Sequence, residues 1–176
     1  QSLLTSDFAY LADIVAAHAR ERPEAIAVAD EDKAISWAEL DSMANRIAAR
    51  LQREGVGVGG STAIVGLNSV EQVAVFIATL RVGAIAGLLT NSATGEAMAA
   101  MLRDTGAAHL FLDRGAAEAL EGQDCGNVIR IAMDGSDVGA PLSEWMGGVG
   151  AMPIPAALEP KNGFNIIYSS GPPGMP

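Results

Sequence analysis

An α/β fold, a mostly parallel sheet with helices on both faces, is predicted by three observations. Helix-like and strand-like segments alternate along the chain. The strand-like runs are short and continuously apolar, as in strands buried on both faces. Hydrophobic residues make up 49% of the 176 residues and aromatic residues only 5%, so the core is built from Ala, Val, Ile and Leu. That composition suits helix-on-sheet layers better than a sandwich. The length fits one domain or a large part of one.

Each element has a local cause. Thr5, Ser6 and Asp7 offer N-caps for a helix over about 8–22, stopped near Pro23. Residues 25–29 and 33–36 read as two short strands around a polar turn. Ser36 and Glu39 have capping-box spacing, and Leu40, Met43, Ala44, Ile47, Ala48 and Leu51 then form one helical stripe ended by Gly55. Residues 62–67 form a buried strand, and Asn68 or Ser69 caps an apolar helix over 70–82. A strand at 84–89, a helix at 94–105, a strand at 108–112, a short helix at 114–120 and a strand at 128–132 continue the alternation. Residues 134–162 change texture to Gly, Pro and Met and read as a long irregular connection, with one helical turn at 142–146. A last strand runs over 164–168. Right-handed crossovers join the parallel strands.

Composition also excludes functions. The net charge is −10 and the sequence pI about 4.5, so the basic footprint of a nucleic-acid binder is absent. Cys125 is the only cysteine; it has no partner within the chain and no cationic neighbour to activate it. His18 and His109 lack metal-ligand spacing, so no metal site is expected. No apolar run is long enough to span a membrane and no signal-peptide pattern opens the chain, so the expected location is cytoplasmic.

Three segments bear on chemistry. Gly55-Val-Gly-Val-Gly-Gly60 looks like a dinucleotide fingerprint, but it lies between a helix and a strand, the reverse of the order that function requires, and reads as a helix C-cap and turn. Asn68-Ser69 lies between a strand and a helix, where ligands bind in open parallel sheets; plain capping, for which Asn and Ser are common, is the favoured reading. The third segment is the last strand with the loop Ser169, Ser170, Gly171, Pro172, Pro173 and Gly174. By pattern alone it is either a turn or a cradle of N–H groups for phosphate.

Residues 166–176 read Ile-Ile-Tyr-Ser-Ser-Gly-Pro-Pro-Gly-Met-Pro. This stretch resembles the signature loop of the adenylate-forming superfamily of acyl-CoA synthetases, peptide-synthetase adenylation domains and luciferases. Upstream, Ile35-Ser36-Trp37-Ala38-Glu39-Leu40, Asn68-Ser69 with Phe76 and Leu80-Arg81-Val82-Gly83-Ala84, and Thr94-Gly95-Glu96 resemble that family's landmarks in order. The resemblance runs from about Leu11 to the last residue. It implies that residues 1–176 are a single N-terminal portion of the large domain, without the rest of that domain and the small lid domain. It further implies an ATP- and Mg2+-dependent ligase that activates a small carboxylic acid as acyl-adenylate and passes the acyl group to coenzyme A. Ser169, Ser170, Gly171, Pro172, Pro173 and Gly174 would occupy the phosphate loop, and no catalytic residue falls within these 176.

The loop departs from the family pattern at Pro172 and Pro173, where hydroxyl residues are usual. Two hydroxyls and two N–H donors are thereby lost. Each missing bond to charged phosphate costs about 1.5–3 kcal/mol. These residues alone are therefore expected to be inactive, and apolar surface left uncovered is expected to favour self-association. The competing expectation is a non-enzymatic homologue with a decayed loop, acting as a binding or interaction module.

Overall fold

The computed structural model describes residues 9–31 and 33–168. The expected caps Thr5, Ser6 and Asp7 lie outside them. The first helix, α1 (Leu11–Glu21), begins after Tyr10, which makes no side-chain cap. An antiparallel hairpin follows, β1 (Ile26–Ala29) with β2 (Ala34–Ser36). Ser36 caps α2 (Trp37–Arg53) reciprocally. Its Oγ accepts from the Glu39 N–H (3.3 Å), and its own N–H donates to Glu39 Oε2 (2.8 Å). Such a cap contributes about 1 kcal/mol. Leu40, Ala44, Ile47, Ala48 and Leu51 are buried along one face, as their spacing of three and four requires.

The remaining strands are β3 (Ser61–Val65), β4 (Ile85–Leu88), β5 (His109–Leu112), β6 (Ile129–Ala132), β7 (Ala140–Pro141) and β8 (Asn165–Ile167). They form one sheet in the order β7-β6-β5-β3-β4-β8, and every adjacent pair is parallel. α3 (Val70–Arg81) joins β3 to β4, α4 (Gly95–Thr105) joins β4 to β5, and α5 (Arg114–Ala119) joins β5 to β6. After β7, α6 (Leu142–Trp145) and an extended segment lead to β8. The α/β class read from the alternation is the class observed.

The strand alternation divides the core in two. Ile64, Ala86, Phe111 and Ile131 face α1, α2, α3 and α6. Ala63, Val65, Leu110 and Leu112 face α4 and α5. Successive side chains point to opposite faces, so strands apolar at every position feed both layers. One buried polar pair interrupts the first layer. The Thr79 hydroxyl donates to Val75 O (2.9 Å), which leaves Thr62 to donate to Thr79 Oγ1 (2.9 Å).

Arg81 gathers the helices of that layer. Its guanidinium donates to Asp41 Oδ1 (2.8 Å), Asn45 Oδ1 (2.6 Å), Asp41 O (3.2 Å) and Ala12 O (3.3 Å), so α3 grips both α1 and α2. At the amino end of β5, Glu54 accepts from Arg50 (2.5 Å) and pairs with His109 Nε2 (2.5 Å), tying the end of α2 to the sheet.

The Arg81→Ala variant removes the cation that faces the part-buried Asp41 carboxylate and all four hydrogen bonds from Arg81 to α1 and α2. A loss of about 2–4 kcal/mol is expected in urea unfolding, with Arg81→Lys intermediate because an ammonium cannot reproduce the fork. A loss under about 0.5 kcal/mol would show that the grip does not matter.

Candidate functional site

β3 pairs with β4 on one side and β5 on the other. The chain leaves β3 over one face toward β4 and leaves β5 over the other face toward β6. The two loops diverge, and a crevice opens outside the carboxyl ends of the strands, where open parallel sheets bind ligands. It has a volume of about 460 Å³, and Leu67, Ser69, Asn91, Met98, Asp113 and Met133 are among its walls. A smaller apolar cavity of about 320 Å³ lies between α1 and residues 158–164, beside Ala84 and Phe164, at the amino edge. The amino edge collects strand starts rather than helix N-termini, so the carboxyl-edge crevice is the candidate site.

Side chains from separate elements fix the loops around it. The Leu67 N–H donates to Asp113 Oδ2 (2.8 Å), and Asp113 Oδ1 accepts from Ala116 N–H (2.8 Å), capping α5. Asn91 Nδ2 donates to Gly66 O (2.5 Å). Ser69 Oγ accepts from Gln72 N–H (3.2 Å), which makes Ser69 the cap of α3. Asp30, from the hairpin turn, also reaches this helix: its Oδ2 accepts from Val70 N–H (3.0 Å) while its Oδ1 accepts from Lys33 N–H (2.9 Å). Lys33 pairs with Glu71 on the same helix. A carboxylate therefore already complements the positive end of α3.

Charge at the rim is mainly negative. Burial pushes the Asp134 carboxyl up, but the Ser136 hydroxyl and the Arg114 and Ser136 N–H groups outweigh it and hold it below its ordinary 3.8. Asp113 and Asp134 together make the crevice a poor seat for phosphate and a good one for N–H or O–H donors. Tyr168 ends the described chain one residue past β8. Its hydroxyl bonds Met101 O and Asp104 Oδ2, both at 2.9 Å. Burial, and then Asp104, push it up to about 12.

The predicted phosphate-loop residues Ser169, Ser170, Gly171, Pro172, Pro173 and Gly174 lie outside the described residues. β8 runs parallel to β4, so Tyr168 leaves the sheet at the same carboxyl edge as the crevice. Of the two readings of Asn68-Ser69, capping is observed for Ser69, while Asn68 is exposed at the crevice loop. The Gly55–Gly60 stretch is a turn, with Gly55 at φ +83°. Cys125 is buried in the layer under α4 and α5, and His18 packs on Trp37 with ring centroids 4.6 Å apart. Sequence reasoning missed Asp113, Asn91, Asp30 and Gly66. Only Asp113 carried a signal, as a cap residue directly before a helix.

Among the described residues no His, Cys, Asp or Glu group could hold a metal ion by itself, and no helix is long and apolar enough to cross a membrane. A family profile described as "AMP-binding enzyme" matches residues 15–176. A dimodular nonribosomal peptide synthase of Bacillus subtilis (strain 168) is 31% identical over 156 residues, covering 88% of this chain and 6% of its own length. Two solved structures share the fold. The N-terminal domain of FACL13 from Mycobacterium tuberculosis has TM-score 0.79 at 20% identity, covering 93% of this chain and 42% of that one. A Mycobacterium tuberculosis fatty acyl CoA synthetase has TM-score 0.77 at 22% identity, covering 90% of this chain and 32% of that one. The chain spans 6%, 2% and 6% of the length of the first three curated relatives it matches.

Because Asp134 is held below its ordinary value, its contribution to stability is complete above that value and is lost as pH falls through the folded one. Urea-unfolding stability followed from about pH 6 down to about pH 2 should fall more steeply for the wild type than for Asp134→Asn. Parallel curves would show that the hydrogen bonds do not favour the ionised form.

Proposed function

The chain belongs to the AMP-binding enzyme family, and from that premise we propose that the full-length protein is an ATP-dependent acid–thiol ligase. A carboxylate oxygen of the acid attacks the α-phosphorus of ATP. The bond to the bridging oxygen breaks, pyrophosphate leaves, and an acyl-adenylate forms. A thiol then attacks the acyl carbon and releases AMP. The family match over 15–176, which includes residues 169–174, is the observation that carries this reading.

This chain contributes part of the nucleotide site. The Ser169 and Ser170 hydroxyls and the Gly171 and Gly174 N–H groups are the donors available to the phosphates, whose developing charge such donors stabilise. Pro172 and Pro173 supply none. Magnesium would enter with ATP, held largely by phosphate oxygens and water. The negative crevice leaves the phosphates to the loop and offers itself to an uncharged or cationic part of a substrate.

Coenzyme A is the acceptor in our first reading. A thiol carried on a protein arm is the second, favoured by the peptide synthases among the sequence relatives. Adding each acceptor to preformed adenylate distinguishes them by which one releases AMP.

ATP–pyrophosphate exchange by the full-length protein, with fatty, aryl and amino acids offered in turn, tests the reaction. Exchange dependent on one acid class is expected. No exchange with any class, together with no Mg-ATP binding by calorimetry, would favour the binding-module reading and overturn this one. Replacing Pro172 and Pro173 by Thr should lower the KM for ATP by about tenfold or more, since each regained bond to phosphate is worth about 1.5–3 kcal/mol. An unchanged KM would show that the prolines do not limit nucleotide binding.

A further inference from the structure

We propose that Asp113 is a positioning residue for that reaction: with Asn91 it holds the Gly66–Leu67 peptide in one of its two orientations at the mouth of the crevice, and the substrate seated there reads that orientation. The proposal rests on the ligase reading above. Both polar groups of one peptide unit are engaged by side chains from loops on opposite sides of β3. The Gly66 carbonyl accepts from Asn91, in the loop after β4, and the Leu67 N–H donates to Asp113, directly after β5. The two grips are not equivalent. An ionised carboxylate only accepts, so it repels a carbonyl turned toward it. An amide offers a donor or an acceptor by rotating. Asp113 therefore decides the orientation and Asn91 follows.

The surroundings fit such a device. Asp113 cannot turn away, because its other oxygen caps α5 through Ala116 N–H. That cap would be served equally by Asn, so it does not explain the hold on a loop 46 residues upstream. Gly66 sits at φ +156°, and a Cβ there would lie 3.0 Å from Asp113 Oδ2 and 3.3 Å from Met133 Cε. Glycine both fits beneath the carboxylate and leaves the peptide free to rotate. Leu67, 75% exposed, and Ser69 lie on the same loop. Both border the crevice and an adjoining groove of about 720 Å³ toward the hairpin, so rotating the peptide re-aims the surface between the two.

Asp113→Asn tests this directly. It keeps the α5 cap but presents a donor to Leu67 N–H, so the peptide should turn its carbonyl toward position 113. The double variant Asn91→Asp with Asp113→Asn enforces the turned peptide, because the new carboxylate then accepts from Leu67 N–H. In both variants of the 176-residue chain we expect a Tm within about 2 °C of wild type and a changed HN–Hα coupling at Leu67 by NMR. In the full-length protein, pyrophosphate exchange and thiol transfer should show KM raised about tenfold for one substrate, with kcat within about twofold. An unturned peptide in the double variant would overturn the proposal. So would a turned peptide with every KM unchanged, or a large Tm loss with kcat and kcat/KM falling together, as a merely structural role requires. A wild-type protein without exchange would count against the ligase reading; the Leu67 coupling still judges the clamp.

Discussion

Parallel pairing on both sides of β3 is the constraint on which the rest depends. A strand between two parallel neighbours has no free edge and no solvated face, so it must be apolar at successive positions, as Ala63, Ile64 and Val65 are. Parallel neighbours also require crossovers. The one to β4 and the one from β4 to β5 run in opposite directions across the sheet, so the right-handed rule puts α3 and α4 on opposite faces. Both the two-layer core and the crevice at the carboxyl edge follow from that arrangement.

Negative charge gathers at one part of the carboxyl edge. At one end Tyr168 leaves β8. Across β4 and β3, roughly 10 Å away at about 4.8 Å per strand, lies a crevice whose side chains include two carboxylates. The positive end of α3, beside it, is already complemented by Asp30. Two carboxylates make the crevice a poor seat for phosphate.

Much of this was legible in the sequence because the signals are local. The Ser36–Glu39 box, the α2 stripe and the continuous apolar runs are set by short-range sterics and periodicity. The family resemblance rested on ordered local motifs and is matched by the profile over 15–176. The crevice was not legible. Its walls come from loops after β3, β4, β5 and β6, and its key bonds join residues 25 to 46 positions apart. Asp113 reads only as a helix cap, Asn91 as one residue of a polar turn and Asp30 as turn chemistry, because nothing in a single sequence marks which backbone group each will meet. Gly66 looks like any strand-end glycine until Asp113 stands over it.

The placement of the functional edge is tested most directly by hydrogen–deuterium exchange of the full-length protein with and without Mg-ATP and an accepted acid. Added protection should appear in the segment after Tyr168 and in the loops that follow β3, β4 and β5. Protection confined to the amino edge, around Gly83 and residues 158–164, or no protection anywhere in these residues, would contradict the account.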